Sequence, residues 1–147
     1  MITSSITRLQ YLIEIIPIKL KTISNEDFNY KPSPTKWSKK EILGHLIDSA
    51  TNNHHRFIRA QYENIPKICY DQDQWNSLSN YNQLDDEHVI NFWTIYNKHL
   101  IEILKSIKEE NLSKECNTGG DTNFTLEWLI EDYIVHLEHH LKQITEY

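Results

Sequence analysis

The sequence predicts an all-α fold, a four-helix bundle with a short hairpin before its last helix. Three observations carry this. Four long stretches repeat apolar residues at helical spacing. Turn residues are scarce: three Gly and four Pro in 147 residues, where average usage gives about 17. No internal repeat or low-complexity tract interrupts the pattern. A β-sandwich turning every 8–12 residues or so would need more Gly and Pro. At ~100–200 residues per domain, residues 1–147 are expected to form one domain.

The first helix is expected from about Thr7 to Thr22, with Leu9, Leu12, Ile13, Ile16 and Leu20 on one face. Pro17 has no N–H and should kink or split it. Residues 25–36, carrying Pro32 and Pro34, read as an extended loop. The second helix opens on a capping box, Ser38 followed by Glu41. Ile42, Leu46, Ala50 and Phe57 follow at helical spacing, and the helix should reach Glu63, with Pro66 beyond it.

Residues 65–84 read as a long loop carrying Tyr70, Trp75 and Tyr81. Loops of this length in compact domains are usually functional or disordered, and three aromatics favour one packed back on the fold. The third helix, capped by Asp85 or Asp86, should run to about Glu110. Its expected buried side is Val89, Phe92, Trp93, Tyr96, Leu100, Ile103 and Ile107. The segment KECNTGGDTNF reads as a tight turn or short hairpin. Thr125 then caps the fourth helix, expected to continue to the end of the chain.

A net charge of −6 and a pI near 5.7 argue against a dedicated nucleic-acid binder. No run of ~18 apolar residues is present, so no membrane span is expected. Cys69 and Cys116 form no CxxC pair, which fits a reducing compartment. With no targeting segment visible, the expected location is the cytoplasm.

The eight His are the unusual count. On the fourth helix, Leu126, Ile130, Tyr133, Leu137, Leu141 and Ile144 define the core face. His140 falls within it, His136 lies at its edge one turn earlier, and His139 points away with Trp128 and Val135. At i and i+4, two imidazoles can reach one metal ion. Two partly buried His with ordinary hydrogen-bond partners would explain the same spacing.

On the second helix His45, Ser49, Asn52 and Arg56 share a side. Ser and Asn are weak helix formers, so their place mid-helix points to a pocket wall rather than a solvated edge. His45 can supply a third ligand from a facing helix, and His99 is the next substitute; His54, His55 and His88 are weaker. Three neutral His leave an open coordination position, as in catalytic zinc sites.

Several strings together resemble the DinB superfamily, in its YfiT-like branch of metal-dependent hydrolases. They are Trp37-Ser38, GHLIDSATNNHHRFIRA at 44–60, Tyr70-Asp71-x-x-x-Trp75 and the C-terminal YIVHLEHHLKQI. The resemblance spans almost the whole chain. It implies a bundle in a down-up-up-down-like arrangement with His45, His136 and His140 on a divalent metal, zinc first, then nickel or manganese. Asp48, Ser49, Asn52, Arg56 and Phe57 also fit the pattern. Leu137 and Glu138 interrupt a His run found in some relatives, and Gly44 stands where some carry His. The superfamily includes thiol transferases and thiol-dependent isomerases, so a low-molecular-weight thiol such as bacillithiol is a second cofactor it implies.

The expected function is a metal-dependent hydrolase of a small molecule. A thiol S-transferase is the alternative, and a non-enzymatic metal-binding stress protein a further one. Ser49, Asn52, Arg56, Tyr70 and Trp75 are the expected substrate-binding residues, with Arg56 pairing with a substrate carboxylate. Tyr70, Asp71 and Trp75 should cover the site from the loop. Asp48, turned from His45, leaves no evident general base, which leans toward thiol transfer. Trp128 and Val135, apolar on the outer side of the last helix, would meet either a second copy in a homodimer or the long loop.

Overall fold

The structure is a computed structural model that describes residues 2–147. Its elements are α1 (Thr3–Leu20), α2 (Asn25–Asn29), α3 (Lys39–Arg59), α4 (Gln72–Ser79), α5 (Asp86–Ser106), β1 (Glu115–Asn117), β2 (Asn123–Thr125) and α6 (Leu126–Leu141). The four long helices α1, α3, α5 and α6 form the bundle. Helix α3 packs on α5 and α6, and α1 packs on the same two. No described helix is long and apolar enough to cross a membrane.

Helices α1 and α6 bury the faces their spacing marked, and α3 and α5 do so in most positions. On α1, Leu9, Leu12, Ile13, Ile16 and Leu20 are buried. Pro17 does not split this helix. It sits in the last turn, where it forgoes one backbone bond while Ile16 and Leu20 anchor that turn in the core. On α6 Leu126, Ile130, Tyr133, Leu137 and Leu141 are buried as expected, and the Thr125 hydroxyl caps the helix by accepting from Trp128 N at 3.2 Å. The helix stops at Leu141 rather than at the chain end. Gln143 and Ile144 bond back to His140 and Leu141 in a tighter turn, and Ile144 stays buried.

The expected capping box of α3 is present. Ser38 Oγ accepts from Glu41 N at 3.0 Å, and Glu41 Oε2 accepts from Ser38 N at 2.8 Å. Helix α3 ends at Arg59, short of Glu63. Helix α5, capped by Asp85 through His88 N, ends at Ser106 because Ile107 turns extended. Phe92 is a correction: it faces solvent beside His88 and Tyr96 instead of the core.

Two stretches expected as loops contain helices. Ser24 caps α2 by accepting from Asp27 N, and α2 buries Phe28. Asp71 caps α4 by accepting from Asp73 N and Gln74 N. Asn80 ends α4 in the left-handed conformation, and a short 3-10 turn, Tyr81–Gln83, follows.

The segment leading to α4 is tied down at both ends. Ile68 N donates to Asn117 O, and Asn117 N to Pro66 O, so residues 66–68 lie beside the β1–β2 hairpin. That hairpin is antiparallel with Cys116 opposite Phe124, and residues 118–122 connect it in a longer loop than the tight turn expected. At the far end Asn76 donates to Glu41 O at 2.8 Å, Ser38 Oγ to Asn82 Oδ1 at 2.7 Å, and Tyr81 to Asp48 Oδ1 at 2.5 Å. The Tyr81 ring packs against Gly44, where an added Cβ would overlap it. Gly44 is therefore required by close packing.

Candidate metal centre

Helices α3 and α6 bring His45, His136 and His140 together at one end of the bundle. One ring nitrogen from each lies within 4.8 Å of the others, and among the described residues no other group of three or more potential ligands does this. Ring centroids are 4.7–5.1 Å apart, with planes nearly perpendicular. The one-turn step from His136 to His140 puts both rings on the same side of α6. His45 is wholly buried, and the other two are half-buried.

Two of the rings have hydrogen-bond partners behind them. His140 Nδ1 faces Gln143 Oε1 at 3.0 Å, while the other end of that amide, Nε2, lies 3.4 Å from His139. An amide oxygen only accepts, so His140 carries its proton on Nδ1. His136 Nδ1 lies 3.5 Å from Ser49 Oγ, whose other neighbour is the Asn53 amide at 3.3 Å. The Ser49 hydroxyl, which also lies beside Tyr70, can either accept from His136 Nδ1 or donate to it. With Nδ1 protonated against Gln143 at His140 and against Ser49 at His136, each ring would leave its Nε2 lone pair for an ion. His45 Nε2 lies 3.2 Å from His136 Nε2. Two nitrogens ~2.0–2.1 Å from a tetrahedral zinc stand about 3.3–3.4 Å apart, so this spacing suits two ligands of one ion. The back of His45 differs: its Nδ1 is buried without a hydrogen-bond partner, and Trp37 covers the ring at 4.9 Å.

Burial also keeps these imidazoles neutral. It drives His45 down to about 3, helped by His136 and His140, and His136 down to about 4, helped by His140, His139 and Arg56. His140 is lowered too, chiefly by burial. Neutral imidazole is the metal-binding form.

The other expected site residues divide. Ser49 stands behind His136, and the Tyr70 phenol lies beside Ser49 and Arg56, its pKa raised by burial. Tyr70 meets Trp75 edge-on at 5.7 Å. Asn52 is buried but spends its amide on Asp48 O in its own helix. Arg56 is not the open fork expected. Its Nε and Nη2 both donate to Ile68 O, and Nη1 donates to Asn53 Oδ1. It clamps the segment before α4 to α3. Asp71 caps α4 rather than facing a ligand. His99, the expected substitute ligand, is exposed and pairs with His54 elsewhere. Trp128 stacks on Phe124 of the hairpin at 4.1 Å, while Val135 stays exposed, so the long segment covers neither.

Two residues escaped the sequence reading as site members. Gln143 lies three positions after His140, a same-face spacing that could have marked it. Trp37 reaches His45 from outside the helices, where no periodicity applies.

These features define a class: an all-helical bundle holding three desolvated imidazoles, two of them oriented from behind, at one end. Residues 13–144 match the DinB superfamily, and the chain belongs to it. The chain is 27% identical over 144 residues to YfiT of Bacillus subtilis, provisionally named a metal-dependent hydrolase, covering 92% of this chain and 79% of that protein. A protein of Bacillus cereus (strain AH820) with the same provisional naming is 28% identical over 138 residues, covering 90% and 79%. The solved YfiT structure, described as having an unusual four-helix bundle topology, superposes with a TM-score of 0.81 at 21% identity, over 95% of this chain and 83% of that one. A mycothiol-dependent maleylpyruvate isomerase shares the fold at a TM-score of 0.80 and 11% identity, over 98% of this chain and 60% of the isomerase.

Proposed function

We propose that the chain is a divalent-metal-dependent hydrolase of a small molecule, with His45, His136 and His140 holding one zinc ion. The observation that carries this is the convergence of the three imidazoles, with the Nε2 atoms of His45 and His136 at 3.2 Å. Such an ion supplies a Lewis acid that makes a nucleophile available at neutral pH. The chain's own residues do the rest. Gln143 and Ser49 hold the His140 and His136 rings with Nε2 forward, and outer partners of this kind typically tune metal affinity 10–100-fold or so. Trp37 shields the His45 side from water. The hydrolase naming of the relatives supports the reaction class.

A second reading is thiol transfer, with a low-molecular-weight thiol as co-substrate. Among the described residues no hydrogen bond joins a carboxylate to the three His, and a thiolate held by the ion would need no general base. The likeness to a mycothiol-dependent isomerase adds to this reading.

The test is turnover by zinc-loaded protein. Chromogenic esters and amides are offered without thiol, and monochlorobimane is offered with a panel of low-molecular-weight thiols. Zinc-dependent hydrolysis without thiol supports the first reading. Conjugation that needs thiol replaces it with the second. Zinc-independent rates in both assays overturn both.

A further inference from the structure

An open cleft of about 460 Å³ lies beside the histidine cluster, between the 32–37 segment, the start of α4 and the turn after α6. Thr35, Lys36, Trp37, Gln72, Asp73 and Gln143 are among its walls. Two of these touch the proposed ligands. Trp37 lies on the His45 ring, and Gln143 holds His140. An occupant of the cleft therefore sits one side chain away from the metal centre.

The charges of this cleft are simple. Lys36 is exposed, and its ammonium takes part in none of the ion pairs or side-chain hydrogen bonds of the described residues, whereas Lys31, Lys39 and Lys40 nearby are all paired. Asp73 has an evident structural role as an acid in the first turn of α4, where it favours the helix dipole. Lys36 and Asp73 share the cleft without forming an ion pair. One end thus offers a free cation next to the Trp37 indole, and α4 contributes a negative charge, Asp73, that opposes a second anionic group.

We propose that this cleft binds the non-reacting part of the substrate and selects a small monoanion, a carboxylate on an apolar body, with the carboxylate on Lys36 and the body against Trp37. This rests on the metal-enzyme reading for its place in a reaction, but the binding itself belongs to Lys36 and Trp37.

The experiment follows the indole N–H signal of Trp37, assigned with Trp37→Phe, during titration with 3-phenylpropionate. Its neutral amide and a dicarboxylate of similar length serve as comparisons. Each titration is run on zinc-loaded and on zinc-free full-length protein. The expected result is a saturable Trp37 shift with the monoanion in both forms. The amide and the dicarboxylate should bind several-fold more weakly. Lys36→Met should weaken the monoanion roughly three- to fivefold, the scale of one exposed charge pair, and Lys36→Arg should restore it. Asp73→Asn should bring the dicarboxylate closer to the monoanion. Binding that survives Lys36→Met but vanishes without zinc would mean that the carboxylate goes to the metal, which overturns this proposal and leaves the metal centre standing. No Trp37 shift with any probe in either form also overturns it. Failure to load zinc, with the Lys36-dependent shift intact, would count against the metal reading alone.

Discussion

Helix α3 carries histidines into two different settings, and the contrast shows what makes a ligand set. At its start, His45 meets His136 and His140 with ligand atoms inside 4.8 Å. Nine residues later, His54 meets His99 of α5 edge-on at 5.6 Å, with its Nδ1 3.0 Å from the Tyr96 hydroxyl. Both are clusters of imidazoles between facing helices. Only the first is deeply desolvated, has its lone pairs aimed inward and is braced from behind by Ser49 and Gln143. The second lies in an open pocket of about 350 Å³ with His55, Arg59 and Tyr62. Its His54 is also lowered by burial and by His99 and His55, but no third ligand atom converges there.

The largest expected difference is in metal affinity. His45→Ala should weaken zinc binding at least about 100-fold, because a third of the ligand set is lost. His54→Ala and His99→Ala should leave it within about twofold. Competition with a chromophoric chelator measures all three. Equal losses at both clusters would erase the distinction drawn above.

Acid titration comes next. The unfolded imidazoles take up protons below about pH 6.5, whereas folded His45 and His136 do so only near 3 and 4. The folded pKa values are depressed, so this stability is full above ~6.5 and is lost as pH falls toward 4, by at least about 3 kcal/mol. Thermal melts of metal-free protein between pH 7 and 4 should show it. His45→Gln should flatten the profile more than His54→Gln. A steeper effect at His54 would mean that the desolvation has been assigned to the wrong cluster.

The braces sharpen the contrast further. Gln143→Leu should lower zinc affinity about tenfold, with Ser49→Ala somewhat milder across its longer 3.5 Å contact. Replacing Tyr96, the partner of His54, by Phe should not change zinc affinity.

The smallest effect concerns Asp48, the third buried polar group of α3. Burial raises its carboxyl to about 6, against the Tyr81 hydrogen bond that lowers it, and its Oδ2 has no partner. A raised carboxyl contributes fully below its unfolded pKa of ~3.8, and that contribution is lost as pH rises through 6. Asp48→Asn should therefore gain about 1 kcal/mol relative to the parent at pH 8 and nothing at pH 4, read from denaturant midpoints. A gain confined to low pH would reverse the sign and place the charged form in a favourable setting.

The sequence made the bundle legible because its long helices repeat apolar residues over four turns or more. The same periodicity placed His136 and His140 on the inner side of α6 and separated them from His139. Short elements left weaker traces. Helices α2 and α4 are five and eight residues long, too short for a period to emerge, and their caps, Ser24 and Asp71, look like ordinary loop residues. Phe92 resembled a core residue, but it lies exposed between His88 and the half-buried Tyr96. The role of Arg56 could not be read at all, because its acceptor, Ile68 O, is a backbone atom twelve residues along the chain, held in place by the β1–β2 hairpin. Trp37 was visible as a helix entry, but its contact with His45 depends on how the preceding segment folds back.

Metal content of tag-free protein, compared across neighbouring histidines, asks whether the three imidazoles hold an ion. One zinc per chain is expected for the parent and for His139→Ala, and almost none for His140→Ala. Zinc near zero in the parent after exposure to zinc, nickel or manganese, or the same loss at His139 as at His140, would contradict it.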